Sequence, residues 1–558
     1  MNPADDMIPS RPGAPGQTRR HALRLAGLAT IATAIGEAGS GWAQQAPQRQ
    51  TAAAKPFAYA DVVRQARIMG ENPFDASAPP IPAELKSLTY DSYREIRFQH
   101  AKALWRTGGS AFRLHPFHLG FLHDKPVQLH LIRDGLALPV PFTTSMFEYG
   151  KVPTPKRLPL DLGFAGVAVT TTLNRPDIHD EIIAFLGASY FRLIGRGHRY
   201  GLSARSLALD VGGPRPEEFP FFRSLWLNEP GPESQELTIY AIVDSPSVCG
   251  AFRYVVSPGK VTSMTVTATI VPRRAIDRLG IAPLTSMFLA GEGDLGQRTD
   301  FRPEIHDSDG LLLQTGRGEW IWRPIRNPKT LHISSFVDDN PRGFGLMQRD
   351  REFGHYQDLE AQYHSRPGYW VEPLGDWGAG RVDLVEIPTT GEVFDNIVTC
   401  WTPAAVLTPG KPHEFTYRLT ALSTTELLHD RGQVSNTFLG DNVETPDSED
   451  FVKKRFIIDF ENGDLAYYLA DPRTVEIVAT TTNAAGAITK TILDANPTAK
   501  GFRAIVDATL RSGKTTEVRV FLKSRGKTLT ETWTSSWSAA PPIAFGVTTM
   551  TDEKPTAN

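Results

Sequence analysis

Between about residues 111 and 420 the chain offers one short extended segment after another, and this restricts the fold more than any other feature. VQLHLI, GVAVTTTL, ELTIYAIV, VTSMTVTATIV, TLHISSFV and RVDLVEI alternate or run apolar and are rich in Val, Ile, Thr and aromatic residues, which is strand behaviour. So long a series without intervening helices implies a large antiparallel β-sandwich. The 47 glycines and 43 prolines supply its turns. A second series, RFIIDF, TVEIVATTT, FRAIVDATL and TEVRVFL, follows the acidic, turn-rich stretch GDNVETPDSED at 440–450 and reads as a smaller sandwich of the immunoglobulin type.

At 558 residues the chain exceeds what one core usually fills, so two domains are expected, 55–430 and 448–550, with a boundary near 430 to 450. One helix stands apart. In FAYADVVRQARIMG, Val62, Ala66 and Met69 recur at helical spacing, and Asn72 and Pro73 stop the run. The formal charge of -3 gives no basic field, which excludes nucleic acid as a partner.

The N-terminus reads as an export signal. Arg19 and Arg20 precede a short apolar run from Leu25 to Ile35, and Gly41 and Ala43 place small residues before Gln44. The paired arginines point to the twin-arginine route, with cleavage after Ala43 and a periplasmic mature protein. No later segment has the roughly 18 apolar residues that a membrane span requires, so the mature chain is expected not to cross a membrane. Cys249 and Cys400 each sit in an apolar, strand-like run; the periplasm would permit a bridge, but two buried free thiols are favoured. The tail from Thr551 reads as disordered.

Two acidic stretches carry the available chemistry. RPEIHDSDGL, residues 302–311, gathers Glu304, His306, Asp307 and Asp309 ahead of an apolar strand, with Asp307 and Asp309 expected on one face. An EF-type calcium loop would need further ligands where Leu311 to Leu313 stand, so no metal is expected there. In GEVFDNIVTCWTP, Asp395, Ile397, Thr399 and Trp401 fall on one strand face. If that face is inward, Asp395 is a carboxyl among apolar groups, and desolvation favours the protonated form that a general acid needs; the alternative is an aspartate capping a turn.

Between the two lies an interval dense in aromatic residues and arginines, with Trp320, Tyr363, Trp370 and Trp377 beside Arg342, Arg349 and Arg366. Aromatic faces stack on sugar rings while arginines and carboxylates bond hydroxyls, so the cluster suits a carbohydrate groove, although many single rings will be core. GRGHRYG places its third glycine one position late for a dinucleotide loop, and neither a nucleophile elbow nor an HExxH motif occurs. No cofactor is implied.

At FAYADVVRQAR, YDSYREIRF, FHLGF, ASYFR, GLSARSLALD, FRPEIHDSDGL, GEWIWRPI, GFGLMQRDREFGHYQD, RPGYWVEPLGDWGAGRVDLVEIPT and DNIVTCWTP, the chain resembles the osmoregulated periplasmic glucan biosynthesis family (MdoG, OpgG and OpgD proteins). The twin-arginine leader makes it more similar to the OpgD branch. The resemblance implies an all-β protein, with a mutarotase-like β-sandwich carrying the cleft and an immunoglobulin-like sandwich after it. It also implies an anomer-inverting glycoside hydrolase on β-1,2-glucan, or a transglycosylase that can cyclise the same chain. A non-catalytic glucan-binding scaffold beside the membrane glucan synthase is the remaining reading. Carried over by motif, Asp395 is the general acid and Asp307 the general base, reached through water and a substrate hydroxyl. Glu392 and Tyr363 match positions near the cleavage point. Asp309, Arg302 and His306, with Trp320, Trp370 and Trp377, complete the expected substrate-binding set.

Overall fold

A computed structural model describes residues 55–539 except 77–80, 154, 156–157, 295–299, 442–446 and 449. The export signal and the tail from Thr551 lie outside the described residues. The described residues are 49% strand and 9% helix, an all-β sandwich architecture. Among the described residues no helix is long and apolar enough to cross a membrane.

Two sheets make the main sandwich. A 16-stranded sheet runs through Gln128–Arg133, Phe221–Asn228, Leu237–Asp244, Val248–Ser257, Thr262–Pro272, His413–Leu422, Gly368–Leu374, Gly343–Met347, Gly310–Gln314 and Trp320–Pro324. A 10-stranded sheet includes Ala379–Glu386, Ile397–Pro403, Leu279–Ser286, Tyr190–Leu193, Asp180–Leu186 and Gly166–Thr171. Alternation puts Leu225, Ile239, Phe252 and Val266 of the first against Phe185, Phe191, Leu284 and Trp401 of the second, and these residues close the main core.

The anticipated helix spans Tyr59–Glu71 and covers the outer face of the large sheet, burying Val62 and Ala66 against Ile242 and Ala251. Arg273 receives its end, donating to Met69 O at 2.7 Å and Asn72 O at 2.9 Å. Both cysteines are free and buried. Burial pushes each thiol up to about 12.

The large sheet does not stop at the boundary expected from the sequence. Trp320–Pro324 pairs in parallel with Thr532–Ser538, Trp322 opposite Trp533, and the sheet continues through Thr515–Ser524 to Glu476–Thr481. A four-stranded sheet of Gln433–Asp441, Phe451–Glu461, Gly501–Arg511 and Gly486–Asn496 packs with this end. Gln433–Asp441, which already contains Gly440 and Asp441 of the acidic stretch, and Phe451–Glu461 after it are antiparallel partners in this sheet.

A buried ion pair fixes the C-terminal part to the rest. Glu531 accepts from Arg349 Nη1 at 2.5 Å and Nη2 at 2.9 Å, and from the Val434 N–H at 2.7 Å. Burial would raise the Glu531 carboxyl, but the Arg349 guanidinium and His429 outweigh it and hold the group at about 2. A carboxyl held below its ordinary value of 4.5 stabilises the fold above that pH and loses its contribution as pH falls toward 2. Thermal unfolding followed downward from neutral pH is therefore expected to lose on the order of 3 kcal/mol across that window. Glu531→Gln is expected to start less stable and to lose less over the same interval.

Candidate active site

The loop of Asp307 is built by two short pairings and a pair of bends. Ile305–His306 pairs with Phe288–Ala290, and the chain then enters the large sheet at Gly310. The Asp307 N–H donates to Met287 O at 2.8 Å and the Asp309 N–H to Met347 O at 2.9 Å. Bends at Asp307 and Asp309 interrupt strand alternation, so the two carboxyls do not share the face that spacing predicted. Asp307 Oδ1 accepts from the Arg366 guanidinium, whereas Asp309 Oδ2 accepts the N–H groups of Arg349 at 2.8 Å and Asp350 at 3.0 Å.

Asp395 is half-buried and precedes its strand, which begins at Ile397, instead of lying on the strand face. Its neighbour Asn396 fixes it in place. The Asn396 amide donates to Phe288 O and Ile387 O, both at 3.0 Å, and accepts the Phe288 N–H at 2.8 Å. Phe288 belongs to the strand paired with Ile305–His306, so this one amide ties the Asp395 turn to the segment that delivers Asp307.

Two arginines complete the charge arrangement. Arg192, on Tyr190–Leu193, is 4% exposed; burial pushes its pKa down, while the charges of Asp395 and Asp307 both oppose that. Arg205 lies 4.6 Å over the Tyr190 ring, donates to Glu217 at 2.5 Å, and also feels Asp395. Burial likewise pushes Asp307 up, against the Arg366 guanidinium, and the Asp395 charge adds to the rise. Desolvation thus falls on Asp307, 4% exposed, whereas Asp395 is half-buried.

Around this pair the structure gathers three more expected residues. Arg302 donates to Asp300 at 2.7 Å, Asp358 at 2.7 Å and Glu392 at 2.8 Å. The Tyr363 hydroxyl donates to Glu392 at 2.7 Å, and its ring lies 4.4 Å beneath the Arg366 guanidinium. Burial raises the Tyr363 phenol far above its ordinary value, so the hydroxyl stays a donor. Phe394, between Glu392 and Asp395, is 37% exposed, and Phe301 beside Arg302 is 80% exposed.

The other expected residues stand elsewhere. His306 points away from Asp307, with Nε2 2.7 Å from Glu304 Oε2 and Nδ1 2.9 Å from Gln348 Oε1. Burial opposes its charge, yet Glu304 and Asp309 outweigh burial and raise its pKa, in keeping with two acceptors facing both ring nitrogens. His306 and Asp309 line a cavity of about 50 Å³ beneath the C-terminal part, with Glu292, Arg349, Thr437 and Trp533. Burial pushes Glu292 there up to about 8, although it accepts the Thr437 N–H. Glu304, Asp350 and His355 bring ligand-type atoms within 4.8 Å of one another, but the His355 and Glu304 atoms already bond Asp350 and His306.

The three tryptophans are core. Trp320 and Trp370 stack at 5.4 Å within the core shared with the C-terminal strands, and Trp377 packs on Trp401, Phe415 and Tyr417. Each is 6% exposed, and the Trp377 indole N–H is taken by Thr416 O. Burying a large apolar side chain stabilises a fold by roughly 1.5–3 kcal/mol, so a long chain with two contiguous cores draws its tryptophans inward. Asn396, Arg192 and Arg205 escape the sequence reading. A charged residue inside the apolar run YFRLIG was the available signal for Arg192.

Comparison with known proteins adds a consistent picture. The family described as "Periplasmic glucan biosynthesis protein, MdoG" matches residues 57–537. A protein of Shewanella oneidensis named "Probable glucans biosynthesis protein D" is 42% identical over 488 residues, covering 87% of this chain and 89% of that protein. "Glucans biosynthesis protein D" of Xanthomonas campestris pv. campestris (strain B100) is 42% identical over 536 residues, 94% of this chain and 98% of that one. The protein of the same name from Stenotrophomonas maltophilia (strain R551-3) is 42% identical over 535 residues, again 94% and 98%.

Replacing Arg302 by alanine would leave Asp300, Asp358 and Glu392 without their shared guanidinium. The expected cost is about 2 to 4 kcal/mol, a little below that of a fully sealed pair. Limited proteolysis should show earlier cutting between residues 353 and 366, and calorimetry a lowered Tm.

Proposed function

Because the chain belongs to the MdoG family of periplasmic glucan biosynthesis proteins, on its glucans biosynthesis protein D side, we propose that it cleaves the β-1,2-glucan backbone in the periplasm by inverting hydrolysis. Family membership supports a role in glucan biosynthesis. The observation that carries it is that Asp307 accepts from the Arg366 guanidinium stacked on Tyr363, whose hydroxyl meets Glu392, while Asp307 and Asp395 both bear electrostatically on buried Arg192.

In this reading Asp395, open on one side to solvent, takes up a proton and gives it to the glycosidic oxygen as the bond to the anomeric carbon breaks. A water attacks that carbon from the opposite face, and its proton passes through water and a sugar hydroxyl to the Asp307 carboxylate. Burial makes ionised Asp307 a stronger base, and Arg366 and Arg192 supply the positive charge that keeps a carboxylate there. Glu392, oriented by Arg302 and Tyr363, accepts sugar hydroxyls. Phe394 and Phe301 offer the apolar faces that the buried tryptophans do not.

The test is purified protein beginning at Gln44, linear β-1,2-glucan, and chromatography of the products over time. Shorter linear chains are expected, with Asp395→Asn and Asp307→Asn each lowering the rate by at least about a thousandfold while circular dichroism stays unchanged. Rings or new linkages would replace hydrolysis by transfer. An unaltered polymer that still binds would leave a scaffold beside the membrane synthase.

A further inference from the structure

The C-terminal part meets the Asp307 loop through one residue used in two directions. The backbone N–H of Arg349 holds Asp309 Oδ2 at 2.8 Å, while its guanidinium turns outward to Glu531 at 2.5 and 2.9 Å and to Val434 O at 3.0 Å. The same guanidinium lies 3.6 Å over the Trp322 ring. That ring presses on Gly310, where an added Cβ would stand 2.1 Å from it. Asp309 and Gly310 thus both rest on groups that Glu531, 0% exposed, holds in place. Asp307 lies two residues earlier on the same bent segment.

We propose that Glu531 is a positioning residue for the reaction: through Arg349 and Trp322 it fixes Asp309 and Gly310, and with them the aim of Asp307. Its catalytic consequence rests on the hydrolytic reading above. A second ion pair between the two parts supplies the contrast. Arg519 donates to Glu319 at 2.5 Å and Thr532 to the same carboxylate at 2.7 Å, and the Glu319 N–H bonds Thr315, past the far end of the strand Gly310–Gln314 from Asp309. Breaking either pair loosens the junction, but only the pair at Glu531 also supports the loop.

The full chain carrying Glu531→Gln, Arg349→Lys or Glu319→Gln tests this in two measurements. In glucan shortening, E531Q is expected to lower kcat about ten- to a hundredfold with KM within about threefold, and E319Q to leave kcat within about twofold. The double variant D309N/E531Q should be no slower than the slower single variant, since both act on one contact chain. In hydrogen exchange, which needs no activity, the amides of Asp307 and Asp309 should lose protection in E531Q and keep it in E319Q. A folded E531Q with wild-type kcat and wild-type protection at those amides overturns the proposal. If E531Q fails to fold, R349K keeps the charge while losing the two-pronged contact and carries both readouts. A wild type that leaves glucan intact would sink the hydrolytic reading alone, and exchange would still decide the positioning.

Discussion

A guanidinium as deeply enclosed as that of Arg192 is tolerated in a protein interior only beside opposite charge, and the organisation of the site follows from that constraint. Arg192 enters from a strand of the 10-stranded sheet, Asp395 from the approach to another strand of that sheet, and Asp307 from the segment leading into the 16-stranded sheet. The acids are drawn from points 88 residues apart in sequence, and Asn396 joins the two approaches by bonding Phe288. Charge neutralisation and backbone stapling thus place the two carboxyls at the seam between the two layers. The aromatic bulk of the interval lies instead in the cores.

Much of the fold was legible because strand patterning is local. Alternation in VTSMTVTATIV or RVDLVEI announces a half-buried strand whatever it pairs with, and the helix at 59–71 carries its own period and stop. The site was legible only in part. Arg302, Tyr363 and Glu392, all singled out from the sequence, share one hydrogen-bonded group, and Asp307 and Asp395 act on the same arginine. The division of Asp307 from Asp309 was not readable, since it depends on two bends that alternation cannot foresee. Trp320 and Trp370 were misplaced for a different reason. An aromatic residue in a strand looks the same in sequence whether its outer face meets a sugar or another sheet, and here the C-terminal strands cover it.

The continuous sheet gives those C-terminal strands a structural role that two separate sandwiches would not. Hydrogen bonding passes from Trp320–Pro324 directly into Thr532–Ser538, and Trp322 serves the core beyond while bearing on Gly310. Segments more than 200 residues apart in sequence are neighbours in one ladder, so much of the molecule's cohesion waits on Thr532–Ser538, the last strand among the described residues.

Cys249 shares its side of the large sheet with Ala251 under the covering helix, whereas Cys400 shares the outer side of the other sheet with Val398. The full thickness of the sandwich separates the two sulfurs. No native cross-link is therefore waiting to be made, and maturation of the described fold requires neither an oxidant nor an isomerase. A reductant that dismantles stapled secreted proteins would leave this one intact.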